Sequence, residues 1–269
     1  MQSPDFGPGP DLPPGEKSPG VEPELVPAAS SPEPGSSPPR LLWAWALGAA
    51  LMAGLASWAI GEATMDYFKP SEAALSNHFD PGPLARELAV LVPRNVAITY
   101  GTLGALLGFT MGLAGGLARR SIWAGLAAAL VGALLGTLAG AALSFALVPL
   151  FMASFDPTQP TLTKMILTRG GIWAAIGAAA GLAFGLGSGH RRRLALVLLG
   201  GGLGGIAGTI LFEVSNALID PLGLNDATIP TTLFGRLLAS LSVAVCVAVG
   251  IALTARYPGP IGARGQHAP

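Results

Sequence analysis

The chain has 269 residues, of which 51% are hydrophobic and 11% charged, and its 15 basic and 15 acidic side chains cancel. Soluble domains carry about 25% charged residues, so the deficit points to a membrane protein, and the neutral balance argues against a nucleic-acid binder. The one cysteine, Cys246, excludes an internal disulfide or a cysteine metal cluster and reads as a small apolar packing residue.

Residues 1–40 hold 12 of the 24 prolines, with Gly, Ser and acids. Such a segment buries too little apolar surface to fold and is expected to be a disordered cytoplasmic tail. It lacks a basic n-region followed by an apolar core, so it does not read as a signal peptide. Ser3-Pro4, Ser18-Pro19, Ser31-Pro32 and Ser37-Pro38 offer sites for modification or docking, and the tail reads as a tether to a cytoplasmic protein partner.

Six apolar segments follow, near 41–61, 96–117, 122–143, 171–189, 194–214 and 235–255. Each is long enough to cross a bilayer, which takes about 20 helical residues. The domain expected is therefore an all-α bundle of six transmembrane helices over 41–256, with a short cytoplasmic tail at 257–269. In the first outer loop Leu84, Leu88 and Leu91 follow helical spacing after Asp80-Pro81-Gly82, which suggests a separate interfacial helix.

Charge orients the bundle. The turns Arg119-Arg120-Ser121 and His190-Arg191-Arg192-Arg193 carry five Arg and no acid, while every acid beyond the tail falls on the other side. Short Arg-rich turns stay in the cytoplasm, so both termini are expected there, in a plasma or inner membrane. The Arg-over-Lys bias and the abundance of Ala and Gly suggest a GC-rich bacterial genome. Trp43, Trp45, Trp123 and Tyr257 fall near the inner boundary; Trp58, Tyr67, Tyr100 and Trp173 fall near the outer one, as headgroup-level aromatic residues.

Glycine recurs every fourth residue inside these segments: Gly104, Gly108 and Gly112; Gly132, Gly136 and Gly140; Gly177, Gly181 and Gly185; Gly204 and Gly208. Each costs about 1 kcal/mol against Ala in a soluble helix. In lipid, small residues one turn apart let helix backbones approach closely, so these are the expected helix-packing positions.

The spans also repeat. A shift of 73 carries Gly104, Gly108, Gly112, Arg119 and Arg120 onto Gly177, Gly181, Gly185, Arg192 and Arg193. A shift of 72 carries Gly132, Gly136, Thr137 and Pro149 onto Gly204, Gly208, Thr209 and Pro221, and a shift of 151 carries Glu62 and Pro70 onto Glu213 and Pro221. Three parallel helix–loop–helix units result. In that respect alone the chain resembles the mitochondrial carriers. Their Pro-x-Asp/Glu-x-x-Lys/Arg signature is begun by Pro70-Ser71-Glu72 and left unfinished by Ala74 and Leu75, and Pro149-Leu150-Phe151 and Pro221-Leu222-Gly223 do not begin it. No function carries over.

Two sets of ionisable residues recur with the repeat. Glu62 and Glu213 close the first and fifth spans; they read either as markers of helix ends or as a cation site, with Ala141 at the third equivalent position. Arg94, Arg169 and Arg236 open the even spans, where a cation opposes the helix dipole. They read either as side chains snorkelling to lipid phosphates or as a shared anion or lipid-headgroup site.

Other motifs fall short. Gly200 to Gly205 contains G-x-G-x-x-G with no preceding strand, and no Gly-Lys-Ser/Thr is present. Gly187-Ser188-Gly189 resembles part of the Gly-x-Ser-Gly of rhomboid-type proteases, but Leu186 stands at its first position and no His falls in a span. Glu72, His78 and Asp80 match no metal-ligand spacing. No enzyme, metal, cofactor or nucleic-acid partner is expected. A structural or accessory membrane protein is favoured, and the alternative is a transporter or channel for a small solute or lipid.

Overall fold

The computed structural model describes residues 39–64, 67–76, 80, 82–154, 162–189, 193–219 and 228–256. The expected tails at 1–40 and 257–269 lie outside these residues except at Pro39 and Arg40. The described residues form seven helices and no strand: α1 (Pro39–Thr64), α2 (Glu72–Ser76), α3 (Gly82–Ala118), α4 (Ile122–Ala153), α5 (Leu162–Ser188), α6 (Leu194–Ile219) and α7 (Leu233–Arg256). All except α2 are long and apolar enough to cross a membrane.

The helices run further than the apolar segments do. The expected interfacial helix is not separate: Leu84, Leu88 and Leu91 lie on α3, which continues through Pro93 for 37 residues, about 55 Å. Its start is capped by Asp80, whose Oδ1 accepts from the Gly82 amide at 2.9 Å. Pro149 likewise fails to end α4. A proline deletes one backbone hydrogen bond, and burial of Val148 and Phe151 on either side of it offsets that loss. The hairpin between α3 and α4 turns at Arg120, which takes a left-handed φ of 60°, and Ser121 then caps α4 by accepting from the Ala124 amide.

The six long helices close into a ring. Each packs on its neighbour in the chain, α7 returns to pack on α1, and α3 also packs on α5. Within the ring α3 and α5 are the most buried helices and α1 and α4 the most exposed. Backbones meet where glycine removes the side chain. A Cβ at Gly104, Gly108 or Gly116 of α3 would collide with the backbone of Gly136, Gly132 or Gly125 of α4, and one at Gly112 would strike Ala128 and Ala129. Gly140 lies against the Tyr100 backbone.

On the α5–α6 interface Gly177 meets Gly201, Gly181 meets Val197 and Gly205 meets Trp173, backbone to backbone. On the α6–α7 interface Gly200 meets Gly250, Gly204 meets Cys246 and Gly208 meets Val243. The Gly200–Gly205 run thus serves two faces of α6 at once. Gly185 differs, since the obstacle nearest it is the movable Leu194 side chain. α1 is the exception to the pattern. Only Gly54 approaches α7, where an added Cβ would stand 3.2 Å from the Ser240 carbonyl, while Gly48 and Gly61 face open space.

Candidate functional site

The loosely packed seam beside α1 holds a cavity of about 180 Å³. It lies at the end of the bundle opposite the Arg119–Arg120 turn. Its walls come from α1, α3, α5, α7 and the segment 229–231. Asn95, Thr231, Glu62 and Arg236 stand at the mouth, and Ser57, Leu103 and Ser240 at the floor. From Asn95 to Leu103 the depth is about 12 Å.

Arg236 sits in the first turn of α7, whose start is capped by Thr232: its Oγ1 accepts from the Gly235 amide at 3.0 Å. A guanidinium there opposes the helix dipole. Glu62 of α1 offsets this through a two-pronged contact, accepting from Arg236 Nε at 2.6 Å and from Nη2 at 2.8 Å. Arg236 Nη1 donates to the carbonyls of Thr231 at 2.7 Å and Pro230 at 3.3 Å. Both side chains of the pair are partly buried, at 14% and 24% exposure.

A second pair lies behind the cavity wall. Arg169 of α5 donates to Glu213 of α6, and both are buried in the protein. The Arg169 guanidinium also lies 4.8 Å from the Phe212 ring centroid and 6.0 Å from that of Trp173, in reach of cation–π attraction. Arg169 Nη2 donates to the Thr228 carbonyl at 3.3 Å, and the Tyr100 hydroxyl donates to the same carbonyl at 2.8 Å. Tyr100 and Trp173 stack edge to face at 6.1 Å. Together they separate this pair from the cavity.

The segment 228–231 therefore acts as a strap between two ion pairs. Thr228 is fastened by Tyr100 and Arg169, and Pro230 and Thr231 by Arg236. These carbonyls would otherwise be left without partners at the end of a helix bundle, which is costly in a dry setting.

Several sequence expectations change at this point. Glu213 does not mark a helix end, because α6 runs on to Ile219. Arg169 is 2% exposed and does not snorkel outward. Tyr100 and Trp173 are core residues rather than headgroup-level aromatics. The acids and arginines pair across the two sets, Glu62 with Arg236 and Glu213 with Arg169. Arg94 joins neither pair and borders a separate recess with Ala141.

Tyr100, Trp173 and the strap were missed, although Trp173 stands one helical turn after Arg169. Glu87 was missed as well; it accepts from the Ser71 amide at 2.7 Å and hydroxyl at 2.6 Å, tying the loop before α2 to α3. Among the described residues no three His, Cys, Asp or Glu side chains converge as a metal site, and His78 lies outside them.

Comparison with protein-family models, with curated proteins and with solved structures finds no match to this chain.

Proposed function

We propose that this is a structural or accessory protein of a plasma or inner membrane, without catalytic chemistry. Its six spans form three parallel helix–loop–helix repeats packed through Gly-xxx-Gly ladders. The Arg-bearing hairpins and both termini face the cytoplasm, where residues 1–40 tether a protein partner.

The observation that carries this reading is how the interior is filled. Backbones touch at successive turns on the α3–α4, α5–α6 and α6–α7 interfaces. Lipid offers no hydrophobic drive to associate apolar helices, so such contacts supply the van der Waals energy that does. The ring closure of α7 on α1 supports a cyclic three-fold arrangement. Beneath the cavity floor, Gly54 sits on the Ser240 carbonyl, and Ala50, Ala53, Ala244, Val247 and Ala248 are fully buried. A hollow that ends within the bundle is suited to holding a molecule more than to passing one.

One observation favours the second reading, a transporter for a small solute or lipid. The cavity joins the charged pair Glu62 and Arg236 at its mouth to walls that include Trp58, Ile98, Leu103 and Trp173. Purified protein in liposomes distinguishes the two. The scaffold reading expects no flux of neutral or anionic solutes above protein-free vesicles. Flux that disappears on Ala239→Phe, which fills the cavity, replaces it with transport.

Orientation is tested in a Cys246→Ser background with an impermeant maleimide. Ser76→Cys should label on intact cells and Ser121→Cys only after lysis. The reverse pattern overturns the topology.

A further inference from the structure

The two ion pairs follow one rule. Glu213 on α6 takes Arg169, about two turns into α5, and Glu62 on α1 takes Arg236, in the first turn of α7. In each pair the acid of one repeat meets the arginine of the helix that precedes it around the ring. Applied a third time, the rule joins α4 to α3. The arginine is present as Arg94; the position 72 residues before Glu213 and 79 after Glu62 is Ala141.

These two residues do come together. Arg94 and Ala141 line one recess of about 440 Å³ on the flank of the α3–α4 interface, with Phe68, Thr102, Thr137 and Phe145. Among the described residues no carboxylate lies within salt-bridge reach of Arg94, which is exposed. Among the described lining residues it is the only ionisable one. Asn95 Nδ2 donates to the Phe68 carbonyl at 3.0 Å, which fastens the loop residue that borders the recess. Phe145 and Thr137 are exposed on the α4 side. From Arg94 to Thr102 the recess runs about 12 Å along α3.

We propose that this recess binds one anionic phospholipid, whose phosphate takes the place that Glu62 and Glu213 occupy in the other two repeats. A guanidinium matches a phosphate with two parallel N–H donors. The remaining lining is apolar apart from two Thr hydroxyls, and Thr137 spends its own on the Ala133 carbonyl at 2.8 Å. An acyl chain fits such a groove, and a free inorganic anion would leave it empty. The missing acid thus converts a structural ion pair into a lipid site. This inference rests on the three-fold reading proposed above.

The test uses the full chain in detergent, with dioleoyl phosphatidylglycerol and dioleoyl phosphatidylcholine as probes and bound lipid counted by native mass spectrometry. Phosphatidylglycerol should bind preferentially. Arg94→Gln should weaken it by about tenfold or more, the scale of one lost charge-assisted contact. Ala141→Glu should do the same by supplying the internal acid, while Arg94→Lys keeps part of the preference. Equal binding of the two lipids, or phosphatidylglycerol binding unchanged in Arg94→Gln, overturns the proposal. So does full displacement of phosphatidylglycerol by millimolar inorganic phosphate, since that makes the site one for a free anion.

The repeat is tested separately by thermal stability without lipid. Ala141→Glu should stabilise the chain when Arg94 is present and not when it is Gln. Coupling without lipid preference removes the site and leaves the repeat. Lipid preference lost in Arg94→Gln without coupling removes the repeat and leaves the site.

Discussion

Arg169 and Glu213 face each other across the α5–α6 interface with side chains only 3% and 7% exposed. Neither charge is stable alone in such a setting, because removing one leaves the other desolvated without compensation. Glu213→Ala should therefore destabilise the chain by roughly 3–5 kcal/mol, the scale for breaking a buried pair. The double variant Arg169→Met/Glu213→Leu should lose much less, because it buries no unpaired charge. Reversible unfolding in mixed detergent measures both. A single variant no worse than the double shows that the pair is solvated.

Glycine positions should divide by what a Cβ would meet. Gly108→Ala places its methyl on the Gly132 carbonyl, which is backbone and cannot step aside, so a marked fall in melting temperature is expected. Gly48→Ala meets nothing within 4 Å and should be neutral or gain up to about 1 kcal/mol from helix propensity. Gly185→Ala should fall between them, because Leu194 can rotate away. A melting-temperature series over the three variants is the measurement, and equal effects at Gly108 and Gly48 contradict the close approach.

Arg236 holds the strap as well as Glu62. Arg236→Ala should release the Pro230 and Thr231 carbonyls and loosen the cavity mouth, whereas Glu62→Gln keeps those two contacts. In a Cys246→Ser background, Ser240→Cys at the cavity floor should react with a small thiol reagent faster in Arg236→Ala than in Glu62→Gln. Equal rates in both variants show that the strap does not control access.

Much of the scaffold was legible in one dimension. Apolar segments of bilayer length announce six helices because an isolated backbone in lipid has few other ways to satisfy its own hydrogen bonds. The glycine spacing marked Gly104, Gly108, Gly132 and Gly136 as places of possible close approach, since four residues bring a helix back to the same face. Helix ends were less legible. The apolar segments near 96–117 and 122–143 are shorter than α3 and α4, which run through Pro93 and Pro149 with flanking side chains buried against neighbouring helices.

The site was legible only as residue types. Glu62, Glu213, Arg94, Arg169 and Arg236 stand out because ionisable groups are expensive near an apolar span. Which acid meets which arginine depends on how α7 returns to α1 and α6 packs on α5, and those contacts join positions 174 and 44 residues apart. Tyr100, 128 residues from Thr228, had no local signal at all. Local hydropathy and spacing are properties of neighbouring residues, so the sequence determined the helices and their small-residue faces. Pairing between distant ends is a property of the closed ring, so only the tertiary structure decided that two arginines are locked by acids and that Arg94 shares a recess with an alanine.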